Sequence, residues 1–197
     1  MVEAAAGADG DPWLVVDRAM ADPDAFSLTA REHLTPSLRA LWQGLPRSRR
    51  ELLELLSRFA MTPAQARRFY VVEERDPALT DEAILANPYL IFETDRTHQD
   101  CVPFTVIDRG CFPDAKVAVT HPLSPPSAMV DRLDPRRVRA LVIDELHRAE
   151  AAGHTVCRQD DVVRAVAGRQ LSEPCPVSGD LLDVHGLSAG TLPPARR

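Results

Sequence analysis

The sequence predicts a mainly α-helical fold. It is a bundle built on a helical hairpin of helix-turn-helix type, with a small β excursion near residues 102–120. Three observations predict it. Apolar residues recur at i, i+3, i+4 and i+7, most clearly at Leu52, Leu55, Leu56 and Phe59. Helix-start residues (Ser, Thr, Asp, Asn) repeatedly stand just ahead of these runs, several with Pro next in line. Runs with strand character, bounded by turn residues, occur at Val102–Asp108 and Lys116–Thr120.

Each element follows from the chain in order. Residues 1–10 are small and polar, a composition that predicts disorder. Trp13–Met20 predicts a short helix, Ser27 or Thr29 caps a second, and Pro36 opens a third carrying Leu38, Leu41 and Trp42. Gly44 and Pro46 close it. Ser48 and Glu51 make the S-x-x-E capping-box pattern for a helix through Phe59. Thr62, Pro63 and Gln65 open the next, so residues 48–70 predict a tight helical hairpin. Asp81 or Thr80 caps a short helix that ends before Asn87-Pro88-Tyr89, because proline pushes the preceding residue out of helical space. Asn87 then caps Tyr89-Leu90-Ile91-Phe92-Glu93, the best core candidate in a chain with ten aromatic residues. After the β excursion, residues 121–127 (HPLSPPS) form a proline-rich linker. Asp134-Pro135 starts the longest helix, with Gly153 where a terminating glycine belongs. Gln159 or Asp160 starts another. Domain organisation follows: residues 11–100 as a helical domain, 101–127 as excursion and linker, 128–170 as a second helical unit, 171–197 as a flexible tail.

The bulk numbers narrow the function. A chain of 197 residues with 45% hydrophobic and 26% charged content is long enough for a real core. No apolar run approaches the ~18 residues that span a bilayer, so no membrane role is expected. The N-terminus has no basic n-region, and Cys101, Cys111, Cys157 and Cys175 form no CxxC pair. Reduced thiols and a cytoplasmic location are expected. Net charge is −6, which argues against a nucleic-acid-coating protein. Charge is uneven, however: residues 46–70 hold six arginines against Glu51 and Glu54, while residues 73–100 hold eight acids and two arginines. A locally basic hairpin permits phosphate contact, and equally it is a solvated surface.

Catalytic motifs are missing. LVIDE, with Asp144, looks like a Walker B strand end, but it lies within a helical pattern. No glycine-rich loop precedes Lys116, the single lysine, so phosphates have no backbone cradle. His98, Cys101, Cys111 and His121 fit no usual zinc spacing, and there is no G-x-S-x-G elbow. No catalytic residue and no metal ligand is expected.

Three stretches taken together resemble one family. Residues 48–70 (SRRELLELLSRFAMTPAQARRFY), 81–93 (DEAILANPYLIFE) and 134–166 (DPRRVRALVIDELHRAEAAGHTVCRQDDVVRAV) are similar to the region ahead of the motor in RecD-like DNA helicases, relatives of the exodeoxyribonuclease V alpha subunit. The landmarks are Asn87-Pro88-Tyr89 and Gly153-His154-Thr155. The family's Gly-x-Gly-Phe stretch is replaced here by VPFTVIDRGCFPD, as in a divergent actinobacterial-type branch. The resemblance implies an accessory region that guides DNA beside a helicase motor, in DNA repair and recombination. The motor is not among these residues, so ATP and magnesium are implied only for that domain and no cofactor for this chain. DNA, bound without sequence preference, or the motor domain itself is the implied partner. Arg49, Arg50, Arg67, Arg68, Arg136 and Arg137 are the expected phosphate contacts. The alternative is an acidic helical protein-interaction domain without DNA binding. It predicts that the hairpin arginines scatter and pair with nearby acids.

Overall fold

The computed structural model describes residues 12–129 and 131–186. The disorder expected of residues 1–10 lies outside them, as does residues 187–197 of the expected tail. Among the described residues there are twelve α-helices and no strand.

Helices α1 (Pro12–Ala21), α2 (Leu28–His33) and α3 (Pro36–Gly44) form an N-terminal layer. Ser27 and Thr35 cap α2 and α3, accepting hydrogen bonds from the backbone N–H of Ala30 (3.4 Å) and Leu38 (3.2 Å). Trp13 stacks on Trp42 with ring centroids 6.1 Å apart. Trp42 is the one buried residue in these three helices.

The expected hairpin is α4 (Arg47–Ser57) and α5 (Pro63–Tyr70). Its second cap forms as read: the Thr62 hydroxyl accepts from Gln65 N–H (3.2 Å) and the Gln65 side chain accepts from Thr62 N–H (2.9 Å). The Ser48–Glu51 box does not form. Pro46 holds extended backbone (φ −53°, ψ 151°) and the helix begins directly after it. Ser48 is therefore already inside the first turn, and Glu51 accepts from Arg47 instead (2.6 Å).

Helix α6 (Asp81–Ala86) is capped by Thr80, and the Asn87 side chain accepts from Tyr89 N–H (3.2 Å) to set the turn into α7 (Leu90–Asp95). The β excursion is not formed. Residues 102–120 contain two helices instead, α8 (Phe104–Cys111) and α9 (Ala115–Thr120). The reason is periodicity. Phe104, Ile107, Asp108 and Cys111 are all buried and fall at i, i+3, i+4 and i+7, so a helix buries them on one face where a strand would split them. With residues 104–111 helical, residues 115–120 have no strand to pair with and satisfy their own backbone as a single helical turn and a half.

Helix α10 (Pro135–Ala151) starts at Asp134, whose carboxylate accepts from Arg136 N–H (2.9 Å). It ends in a Schellman cap. Gly153 sits at φ 89° and donates to Glu150 C=O (2.9 Å), and His154 donates to Ala149 C=O (2.9 Å). Helices α11 (Gln159–Ala167) and α12 (Gly179–Val184) follow. The stretch 171–186, expected as part of a flexible tail, is docked: Cys175, Val177 and Leu182 are buried in the same core as α4, α7, α8 and α10. Tyr89, Phe92 and Phe104 form its aromatic centre, with Tyr89 stacked on Phe104 at 5.7 Å and Phe92 edge-on at 5.9 Å.

Candidate nucleic-acid interface

All six arginines expected to meet phosphate are ion-paired, each with a different acid. Arg49, on the α4 face toward α6, reaches Asp81 (3.0 Å) and lies 3.9 Å over the Tyr70 ring. Arg50 points back to the N-terminal layer, donating to Trp42 C=O (3.0 Å) and pairing with Asp17 (3.7 Å). Arg67 pairs with Glu74 (2.6 Å) and is the one clearly exposed member of the set. Arg68 makes a two-pronged contact to the buried Asp95 (2.9 and 3.0 Å) and a second to Asp100 (3.0 Å). These partners hold the Arg68 guanidinium above its ordinary pKa, the Asp95 hydrogen bond contributing most.

Arg136 and Arg137 serve the start of α10 in opposite directions. Arg136 grips Asp134 (2.7 Å) and donates to the carbonyls of Ala86 (2.6 Å) and Pro126 (3.2 Å), tying α6 and the proline-rich stretch 121–127 to α10. Arg137 is wholly buried and lies two-pronged on Asp108 (2.7 and 2.9 Å). It also donates to Glu173 C=O (2.6 Å) and sits 4.2 Å over the Phe112 ring. Burial alone would lower its pKa; the hydrogen bond and charge of Asp108 outweigh that and raise it.

Asp108 is the group the sequence did not single out. It accepts from Arg137 and from the Tyr89 hydroxyl (2.7 Å), so the turn into α7, α8 and α10 meet on one carboxylate. Burial pushes the Tyr89 phenol well above its usual range, and neighbouring Cys111 and Asp108 add to the shift. The signal that marks Asp108 was its place on the apolar face of α8, visible once the period is read as helical. Asp95 was missed likewise. It accepts from Arg68 and from Val102 N–H (2.6 Å), fastening α5 to the stretch ahead of α8.

The landmarks are structural. Pro88 and Tyr89 are buried and Asn87 sets their turn, while Gly153 and His154 make the Schellman cap and Thr155 stands exposed beyond it. Asp144 of LVIDE is helical and pairs with Arg169, away from any nucleotide-binding loop. All four cysteines are free thiols, and burial pushes the Cys111 thiol up to about 12, leaving it unreactive at neutral pH. Among the described residues no group of three His, Cys, Asp or Glu side chains is placed to hold a metal ion, and no helix is long and apolar enough to cross a membrane.

No family model, no curated protein and no solved structure matches this chain.

Proposed function

We propose that the chain is the accessory, non-motor helical region of a RecD-like DNA helicase. It acts as a rigid scaffold that places DNA beside the motor and performs no nucleotide hydrolysis of its own. One observation carries the reading. Tyr89 from the Asn-Pro-Tyr stretch and Arg137 from the start of the long helix, both within the stretches that carry the resemblance, meet on buried Asp108. Two motifs retained for a shared architecture would be held together in this way, here by a carboxylate of the stretch that replaces the family's Gly-x-Gly-Phe. DNA contact on this reading is through phosphate and does not depend on sequence.

The test is a fluorescence-anisotropy titration of the chain with labelled single-stranded DNA across a salt series. The expected outcome is binding that weakens with salt, log K falling by about 0.7 per phosphate contact per decade of salt. Affinity that does not change with salt overturns the DNA part. The family part is checked in the reading frame beyond Arg197, where a G-x-x-x-x-G-K-[ST] loop is expected.

A second reading, a protein-docking domain without DNA contact, is favoured by the pairing of all six arginines. A guanidinium held two-pronged by a carboxylate is a poor phosphate ligand until that pair breaks. On this reading the titration shows no binding at any salt concentration.

A further inference from the structure

We propose that single-stranded DNA enters through the cleft between α4, the α8–α9 turn and the strap 121–127, where Arg58 and Arg109 take one backbone phosphodiester. This rests on the DNA reading above and moves its contact away from the six paired arginines. The cleft has a volume of about 540 Å³, and Arg47, Arg58 and Arg109 all line it. Such a volume falls within the range of ligand sites.

The three arginines differ in what they face. Arg47 is neutralised by Glu51 at 2.6 Å. Arg58, half-buried at the end of α4, donates to two carbonyls, Gly110 (3.4 Å) and His121 (2.8 Å). Carbonyls orient a guanidinium and leave its charge uncompensated. No carboxylate among the described residues lies within ion-pair reach of it, whereas the comparably sheltered Arg49, Arg68, Arg137 and Arg169 all have one. Burial accordingly lowers the Arg58 pKa from its ordinary value. A half-buried cation with a free edge and no counter-charge is relieved by an arriving anion. Arg109, exposed in the last turn of α8, makes no ion pair among the described residues and stands on the same cleft.

The remaining lining selects the kind of anion. Glu51 and Glu54 also face the cleft, and they disfavour a densely charged ligand such as a nucleoside triphosphate. A phosphodiester carries one charge and suits a cleft with a small cationic excess. Trp13 supplies an aromatic wall, the surface on which bases of a single strand stack.

The experiment uses the full chain and labelled oligo(dT) in the same anisotropy assay. Arg109→Glu is the primary variant, since that side chain holds nothing else in place, and Arg58→Gln is the second. Thermal melts followed by circular dichroism verify that both fold. Each is expected to weaken binding by about tenfold and to flatten the salt dependence by about one phosphate contact, while Arg164→Glu, on α11 and outside the cleft lining, leaves both unchanged. Intact binding by Arg109→Glu and Arg58→Gln overturns the cleft, and salt-dependent binding by the parent chain then still supports the helicase reading. An absence of binding by the parent chain overturns both. Displacement of the oligonucleotide by equimolar thymidine monophosphate or inorganic phosphate identifies a free-phosphate site and overturns the phosphodiester assignment.

Discussion

Asp108 ties three separate segments of the core together through one carboxylate. Its carboxylate is buried with two strong donors, the Arg137 guanidinium and the Tyr89 hydroxyl. A buried pair of this kind adds little net stability against an apolar replacement of both partners, yet losing one partner strands a charge. Arg137→Met is therefore expected to destabilise the chain by about 3–5 kcal/mol. Tyr89→Phe removes one hydrogen bond and is expected to cost about 1–2 kcal/mol. Urea denaturation of the two single variants and the double variant measures both. A double variant whose cost departs clearly from the sum of the singles is expected, because the two side chains share one acceptor. Strict additivity would remove Asp108 from its central place. In sequence Arg137 reads as a phosphate ligand; its buried partner stands 29 positions earlier, in a segment of strand character. Tyr89 as a core anchor was legible from local sequence; Arg137 as its neighbour depended on the register of α8.

At the scale of elements, local chemistry was legible and packing was not. The Thr62 cap, the Asp134 start and the Gly153 terminus formed as read, and of Asp81 and Thr80 it is Thr80 that caps α6, since each depends on residues within one helical turn. The Ser48–Glu51 box, equally local, is displaced by the helix start after Pro46. The β excursion failed because β-branched content at Val102, Val106 and Ile107 competed with burial, and burial of one helical face won. Gly110 shows the same contrast. In sequence, Asp108-Arg109-Gly110 reads as a turn that ends a strand. In the fold, Gly110 lies in α8, where the Phe59 ring presses against its backbone. A Cβ added there would lie 2.4 and 2.7 Å from Phe59 ring carbons and 3.1 Å from the Arg58 carbonyl oxygen. Phe59 is a core residue and cannot simply swing out. Alanine is normally favoured over glycine in a helix, so the usual expectation for Gly110→Ala is a gain. Here overpacking reverses the sign, and a loss of about 1–3 kcal/mol is expected in chemical denaturation. A stabilised variant would show that α8 does not press on the end of α4 as described. Because the Arg58 carbonyl shares this contact, the same close approach fixes one wall of the cleft.

At the scale of the whole molecule, the core is continuous from Leu52 to Leu182, but the N-terminal layer stands outside it. None of the residues of α1 or α2 is buried, and Leu14, Leu28, Leu38 and Leu41 are exposed. Among the described residues the layer is held by the Trp13–Trp42 stack, the Trp42 indole N–H donating to Asp17 (2.9 Å), and Arg50 reaching across from α4. These are few and partly exposed contacts. Exposed ion pairs each contribute about 0–1 kcal/mol, far less than burial of a leucine or phenylalanine in the core. Local opening of the layer should therefore precede loss of the core. The chain has its own probes for this, because both of its tryptophans, Trp13 and Trp42, sit in the layer. Tryptophan emission is expected to shift at a lower denaturant concentration than the far-ultraviolet circular dichroism, which is dominated by the core helices. Coincident curves would mean that the layer and the core form one cooperative unit. The same measurement bears on the cleft. Trp13 forms its wall, so oligo(dT) that binds there should close the gap between the two curves, drawing the tryptophan transition toward that of the core as ligand is added.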